Sequence, residues 1–99
     1  MVACIGMNSS IEGEGHDRSF DLPSEDKEVL ASIKKAGRPS VTIVNGGGAV
    51  EMQSWQQQSD AILWAFYGGQ QGGTAIADIL FGRTNPSGHL PITIERAWS

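Results

Sequence analysis

The sequence predicts an α/β fold built on a mainly parallel sheet, and three observations support this class. Short apolar or β-branched runs alternate with two stretches of helical periodicity. Each apolar run ends in a glycine-rich or acidic loop. The resulting order of strand, helix, strand, short helix, strand and helix is typical of right-handed crossovers that cover a parallel sheet.

The first half of the chain predicts one strand and one helix. Residues 2–6 form a short apolar run, which indicates a buried strand that includes Cys4. Ser24 precedes a stretch with acidic residues first and apolar residues at helical spacing, so we expect it to be the N-cap. Gly37 follows the last periodic residue and predicts the helix end.

The second half predicts two further strands and a second helix. Residues 41–44 are a β-branched run, and residues 61–65 indicate a third buried strand. Between them, residues 49–58 predict a short helix or an irregular turn. Small and apolar side chains share one helical face over 71–81. Residues 90–94 predict an edge strand or an extended arm.

Composition excludes several classes of function. The chain has 99 residues, so it is at most one small domain, and its 13 glycines indicate many tight loops. A net charge of −4 without any Lys/Arg cluster argues against nucleic-acid binding. Cys4 is the only cysteine, no apolar run approaches a membrane span of about 20 residues, and no signal peptide is recognisable. The compartment stays open.

The loops that follow the three strands should meet at one edge of the sheet and form a concave face. Neither the dinucleotide pattern G-x-G-x-x-G, the P-loop nor the serine-hydrolase pattern G-x-S-x-G occurs there. The acidic side chains after the first strand also miss the spacing of a calcium loop. We therefore predict no cofactor and no metal.

The loop after the first strand carries carboxylates on a glycine hinge. In the run 11–18, Glu14 lies between Gly13 and Gly15. A glutamate on such a hinge can enter a cleft that a helical glutamate could not reach, as a general acid must. The alternative is a solvated acidic surface loop.

Several motifs in the same order resemble the second, α/β-sandwich domain of glycoside hydrolase family 3, the β-glucosidases and β-xylosidases. The matching segments are GMNSSIEGEGHDR at 6–18 with DLP at 21–23, NGGGAV at 45–50, AILWAFYGGQQGG at 61–73, ADILFG at 77–82 and NPSGHLP at 85–91. Two departures occur, Gly68 for the usual Pro and Gln71 for the usual Glu. Together the motifs cover nearly the whole chain.

The resemblance implies a three-layer sandwich of which residues 1–99 are a partial C-terminal domain. It also implies that Glu14 is the general acid/base, while the nucleophilic Asp comes from a preceding barrel domain. Glu12 is the rival for the acid/base role, because it lies two residues away. Retaining hydrolysis needs both carboxyl groups, about 5–5.5 Å apart.

Four other residues are candidates for substrate binding: His16, Arg18, Trp55 and Tyr67. For Arg18 the alternative is an ion pair with Asp17 that pins the loop, and for His16 it is exposure without a ligand. Trp55 and Tyr67 are predicted on loops, where an aromatic face can stack on a sugar ring.

The predicted function is thus the acid/base-bearing segment of a retaining β-glycosidase that hydrolyses terminal β-D-glucosyl or β-D-xylosyl residues, inactive without the barrel domain. The predicted partners are a β-linked glycoside and that barrel, and neither nucleic acid nor a membrane. The alternative is a non-catalytic truncated module that binds sugars or forms homo-oligomers through exposed sheet edges.

Overall fold

The computed structural model describes residues 1–97 as a three-stranded sheet with two α-helices. The elements in chain order are β1 (Val2–Gly6), α1 (Ser24–Ala36), β2 (Val41–Asn45), a 3-10 helix (Gln56–Gln58), β3 (Ala61–Trp64) and α2 (Gly72–Leu80). This is the predicted order of elements, and the predicted α/β class is confirmed.

The sheet is parallel throughout, in the order β1-β2-β3. In the first pair, Val2 lies opposite Val41 and Gly6 lies opposite Asn45. In the second pair, β3 begins opposite Val41 and ends with Trp64 opposite Val44. All three strands therefore end at the same edge of the sheet.

Helix α1 packs on one face of the sheet and forms the core there. Its buried side chains Leu30 and Ile33 join Ala3 and Ile5 of β1 in one apolar cluster. The helix ends at Gly37, as predicted, in the left-handed conformation with φ +61°. The cap at its other end differs from the prediction.

Pro23, and not Ser24, occupies the N-cap position of α1. Its backbone is extended, with φ −51° and ψ 146°, as a residue that precedes a helix requires. The hydroxyl of Ser24 contacts the neighbouring Glu25 carboxylate at 3.4 Å and makes no capping bond to the backbone. The sequence predicted the start of α1 to within one residue, but it did not predict which residue occupies the N-cap position.

Two predictions of burial in the sheet are wrong. Cys4 is exposed, because β1 alternates and only Ala3 and Ile5 face the core under α1. Strand β3 is only half-buried, since it lies at an edge of the described sheet. Its side chains Ile62 and Trp64 still pack against the core cluster.

Helix α2 borders the face of the sheet opposite α1. Its residues Ile76 and Ile79 line a cleft together with Leu63, which alternates with the core-facing residues of β3. None of the side chains of α2 is buried, although Ile76 and Ile79 share one face as predicted. The order helix, sheet, helix is that of the predicted sandwich. Residues 90–94 form no strand.

No helix within residues 1–97 is long and apolar enough to cross a membrane.

We expect the α1 face to carry most of the stability of the sheet. Leu30→Ala removes a side chain with 0% exposure and should lower the free energy of unfolding by about 2–5 kcal/mol. Its neighbour Val29 is 43% exposed, so Val29→Ala should cost about 0.5 kcal/mol. Urea unfolding followed by tryptophan fluorescence measures both, and equal losses would contradict this assignment of the core.

Candidate functional site

The side chain of Glu12 brings together the loops that follow all three strands. Its Oε1 accepts a hydrogen bond from Nε of Arg18 at 2.7 Å, within the loop after β1. Its Oε2 accepts one from the backbone N–H of Gly47 at 2.8 Å, in the loop after β2. The hydroxyl of Tyr67, in the loop after β3, donates to the same Oε2. Donors from three separate segments therefore meet at one carboxylate.

Arg18 extends this network to two backbone carbonyls. Its Nη2 donates to the carbonyl of Ala49 at 2.8 Å and its Nη1 to that of Ser19 at 3.0 Å. The guanidinium therefore uses all three of its nitrogens, and its side chain is only 13% exposed. The predicted pair with Asp17 does not form. Arg18 pins the loop as expected, but its partner is Glu12.

Local backbone bonds direct Glu12 towards this edge. The carbonyl of Asn8 accepts from the N–H groups of both Ile11 and Glu12, at 3.0 and 2.9 Å. The Asn8 side chain accepts from the N–H of Ser10 at 2.9 Å, which fixes the start of the same turn. The sequence between β1 and Glu12 thus folds into a compact turn.

Gly47 has a steric role beside the carboxylate. A Cβ atom at this position would lie 3.2 Å from Oε2 of Glu12 and 3.2 Å from the ring of Tyr67. Any other residue would therefore crowd the place where the Gly47 N–H reaches the carboxylate. The glycine run after β2 serves close approach of the backbone.

The surroundings of Glu12 keep its carboxylate ionised. Burial raises its pKa, but the hydrogen bonds from Tyr67, Arg18 and Gly47 and the charge of Arg18 outweigh that effect. Together they lower the pKa from 4.5 to about 2. The same hydrogen bond has the opposite effect on Tyr67: the bond to the Glu12 carboxylate raises the pKa of the tyrosine hydroxyl.

Glu14 occupies a different environment, although it is only two residues from Glu12. Gly13 and His16 form an antiparallel bridge, so Glu14 and Gly15 are the two residues at the tip of a tight turn. Gly15 adopts φ +83°, a conformation that side chains other than glycine rarely adopt. The Glu14 side chain is exposed, and no residue within 1–97 bonds to its carboxylate.

The four candidate substrate-binding residues fall into different places. His16 is exposed and its ring lies against Gly13, where an added Cβ would be 2.8 Å away. Tyr67 is 56% exposed and presents part of its ring to solvent. Trp55 is 1% exposed, so the prediction that its ring stacks on a sugar is wrong.

The burial of Trp55 has a local cause. Its ring belongs to the core cluster under α1, and its indole N–H donates to the carbonyl of Glu51. The bond satisfies the only polar group of the side chain inside the core. The chain between β2 and the 3-10 helix therefore turns this ring inward.

An open groove of about 780 Å³ lies beside the Glu12 and Arg18 pair. Its volume falls in the range of small-molecule sites. Of the candidates, His16 and Arg18 line it along with Glu12, whereas Glu14 does not. Its other lining residues are Asp17, Ser19, Phe20, Asp21, Ala49, Thr93 and Glu95. Carboxylates and hydroxyls that accept and donate hydrogen bonds suit a polyhydroxylated ligand.

Two hydrogen-bonding groups of this site could not be predicted from the types of side chain in the sequence. The N–H of Gly47 and the carbonyl of Ala49 act through the backbone. The only available hint is the glycine run itself, because a run of three glycines after a strand indicates close backbone approach. Within the described part of the chain, no group of three or more His, Cys, Asp or Glu side chains is arranged to hold a metal ion.

Comparison with known sequences gives one consistent family. The sequence model of the glycosyl hydrolase family 3 C-terminal domain matches residues 1–99. A probable beta-glucosidase J of Emericella nidulans is 42% identical over 97 residues, which are 97% of this chain and 11% of that protein. A xylan 1,4-beta-xylosidase of Xylanibacter ruminicola is 39% identical, over 97% of this chain and 12% of that protein.

Comparison with solved structures indicates the same family. The beta-glucosidase of Kluyveromyces marxianus superposes with a TM-score of 0.87 at 36% identity, covering 96% of this chain and 11% of that one. Beta-glucosidase 3B of Thermotoga neapolitana gives 0.80 at 36% identity, covering 96% of this chain and 14% of that one. This chain thus spans only about a tenth of the length of the relatives it matches. The sequence match and the fold agree, and the chain belongs to the C-terminal domain of glycosyl hydrolase family 3.

Proposed function

We propose that this chain is the acid/base-bearing segment of a retaining β-glycosidase that acts on terminal β-D-glucosyl or β-D-xylosyl residues, with Glu14 as the general acid/base. Family membership supports the glycosidase class, and the names of the relatives include both β-glucosidases and β-xylosidases. The choice of Glu14 depends on the different surroundings of the two glutamates in this loop, Glu12 and Glu14.

One observation carries this choice: the carboxylate of Glu12 is already occupied. Three donors bind its two oxygens, and its pKa of about 2 keeps it deprotonated at any pH near neutrality. A general acid must hold a proton before it can donate one to the departing oxygen. Glu14 lies on the same loop and is exposed, and no residue within 1–97 binds its carboxylate, which leaves it available to a substrate.

The reaction assigns two successive steps to Glu14. In the first, its protonated carboxyl gives a proton to the glycosidic oxygen as a second carboxylate attacks the anomeric carbon. In the second, the resulting Glu14 carboxylate removes a proton from the water that hydrolyses the glycosyl-enzyme. The tip of the Gly13–His16 turn suits both steps, because the Glu14 side chain there is exposed.

The nucleophile belongs to the barrel domain that the family resemblance implies. The chain alone is therefore proposed to be inactive, because general acid catalysis contributes only about 10²–10⁴ of the acceleration. The groove beside Arg18 and the exposed ring of Tyr67 are proposed to contact the sugar or its leaving group, together with His16.

The first test uses a chimera in which this chain replaces the matching segment of the Kluyveromyces marxianus β-glucosidase. Hydrolysis of 4-nitrophenyl β-glucoside and β-xyloside is measured for the chimera and for its Glu14→Gln variant. We expect Glu14→Gln to lower kcat/KM by about 10²–10⁴ because the proton donor is lost. Added azide should restore part of the turnover of an activated aryl glycoside and yield a glycosyl azide, since azide needs no general base.

Glu12→Gln in the same chimera is the matched control. It should lower the activity because Glu14 is displaced, but the proton-transfer group is still present, so azide should restore less turnover than it does in Glu14→Gln. Azide rescue of Glu12→Gln together with an active Glu14→Gln variant would assign the acid/base role to Glu12. A folded chimera that hydrolyses neither substrate would favour a non-catalytic module.

The second test concerns stability in acid. Because the pKa of Glu12 is lowered on folding, from 4.5 to about 2, its contribution is fully present above about pH 4.5 and is lost as the pH falls towards 2. We expect Glu12→Gln to cost about 1 to 2 kcal/mol at pH 7, after allowance for solvent screening of a partly exposed group. The difference from the original chain should shrink between pH 4.5 and pH 2.

Urea unfolding at a series of pH values between 7 and 2 measures this difference. Glu14→Gln is the control, because it changes a carboxylate of the same loop that has no partner within residues 1–97. It should follow the original chain across the range. A loss that is equal at pH 7 and pH 2 for Glu12→Gln would contradict the ionised state.

A further inference from the structure

We propose that Glu12 is a positioning residue whose carboxylate clamps the loops after β1, β2 and β3 and thereby fixes the turn that carries Glu14. This inference rests on the proposed role of Glu14 and extends it to the residues that hold Glu14 in place. The clamp consists of Glu12, Arg18, Gly47 and Tyr67.

The first support is where the clamp residues lie along the chain. Glu12 and Arg18 flank the bridged turn between Gly13 and His16, and their side chains meet at 2.7 Å. This bond closes the base of the loop whose tip is Glu14. A loop closed at its base has far fewer conformations than one that is free at both arms.

The second support is that the base of this loop is attached to the rest of the sheet edge at several points. Gly47 binds Glu12 directly, and the Ala49 carbonyl binds Arg18 at 2.8 Å. Both arms of the Glu14 loop are therefore tied to the loop after β2. Each of these two hydrogen bonds involves a charged side chain, Glu12 in one and Arg18 in the other. Such charge-assisted bonds are about twice as strong as neutral ones.

The third support is the backbone before Tyr67. Phe66 has φ +54°, the only residue other than glycine with a positive φ in the described chain. This conformation is rare for a bulky side chain and costs free energy. It turns the chain immediately after β3 where Tyr67 reaches back to Glu12. The strained backbone of Phe66 thus lies at the turn that directs Tyr67 towards Glu12.

The clamp is also distinct from a core element. The side chain of Glu12 is 20% exposed, and Tyr67 is more than half exposed. Neither belongs to the buried cluster under α1. Loss of the clamp should therefore change the position of the loop more than the stability of the sheet.

A spectroscopic experiment tests the clamp without any glycosidase assay. Tyr67 is the only tyrosine in the sequence, so tyrosinate absorbance at 295 nm reports on this one hydroxyl. We expect Tyr67 in the original chain to titrate above the ordinary tyrosine value of about 10, and in Glu12→Gln to move down towards it. Glu14→Gln, which changes a carboxylate two residues away, should leave the titration where it is.

A second measurement applies if Glu12→Gln fails to fold. Tyr67→Phe keeps the ring and removes one donor to Glu12, and carbon-13 NMR of the Glu12 carboxyl then reports its pKa. We expect that pKa to rise above the value in the original chain. An ordinary Tyr67 titration in the folded original chain, or an unchanged Glu12 pKa in Tyr67→Phe, would overturn the clamp.

The link to catalysis is tested in the chimera. Glu12→Gln should lower kcat by about 10²-fold through misplacement of Glu14, with a smaller change in KM. An unchanged kcat would overturn the positioning role even if the Tyr67 titration supports the contact. If Glu14→Gln proves active, the proposed function fails, whereas the Tyr67 titration still decides whether the clamp exists.

Discussion

The parallel register of the three strands is the constraint on which the site depends. Gly6 ends β1 directly opposite Asn45 of β2, and Trp64 of β3 ends one position short of that level. Neighbouring strands lie about 4.8 Å apart, so the three following loops begin within roughly 10 Å of one another. An antiparallel strand would have sent its loop to the other edge. Only this register brings donors from three loops within reach of the single carboxylate of Glu12.

The elements of the fold could be predicted from the sequence because their signals are local. Helical spacing up to Gly37 and the β-branched run of β2 specify α1 and its following strand within a residue or two. Burial could not be predicted in the same way. Cys4 and Trp55 are both apolar, yet one is exposed and the other is in the core, because the packing of α1 decides which face of the chain is covered.

The site was predictable only in part, for a related reason. The convergence of the loops and the presence of a carboxylate on a glycine hinge follow from the order of elements and from the motif. The pairing of Arg18 does not, because Asp17 is its neighbour in sequence while Glu12 is its neighbour in space. The turn at Asn8 decides that outcome, and its effect appears only when the loop is folded. A contact made by a backbone group, such as the N–H of Gly47, cannot be recognised from the type of residue that carries it.

Two glutamates on one short loop can therefore have opposite properties. The environment of Glu12 stabilises its charged form, so its proton affinity is too low for exchange near neutral pH. That property favours a fixed anchor over a general acid, since a group that keeps its charge holds the same donors throughout a reaction cycle. In the proposed division of roles, Glu14 has to gain and lose a proton in every turnover. A loop that carries such a group benefits from an anchor that is insensitive to the same proton. The surface location limits what the ion pair adds to stability, so its value lies mainly in geometry.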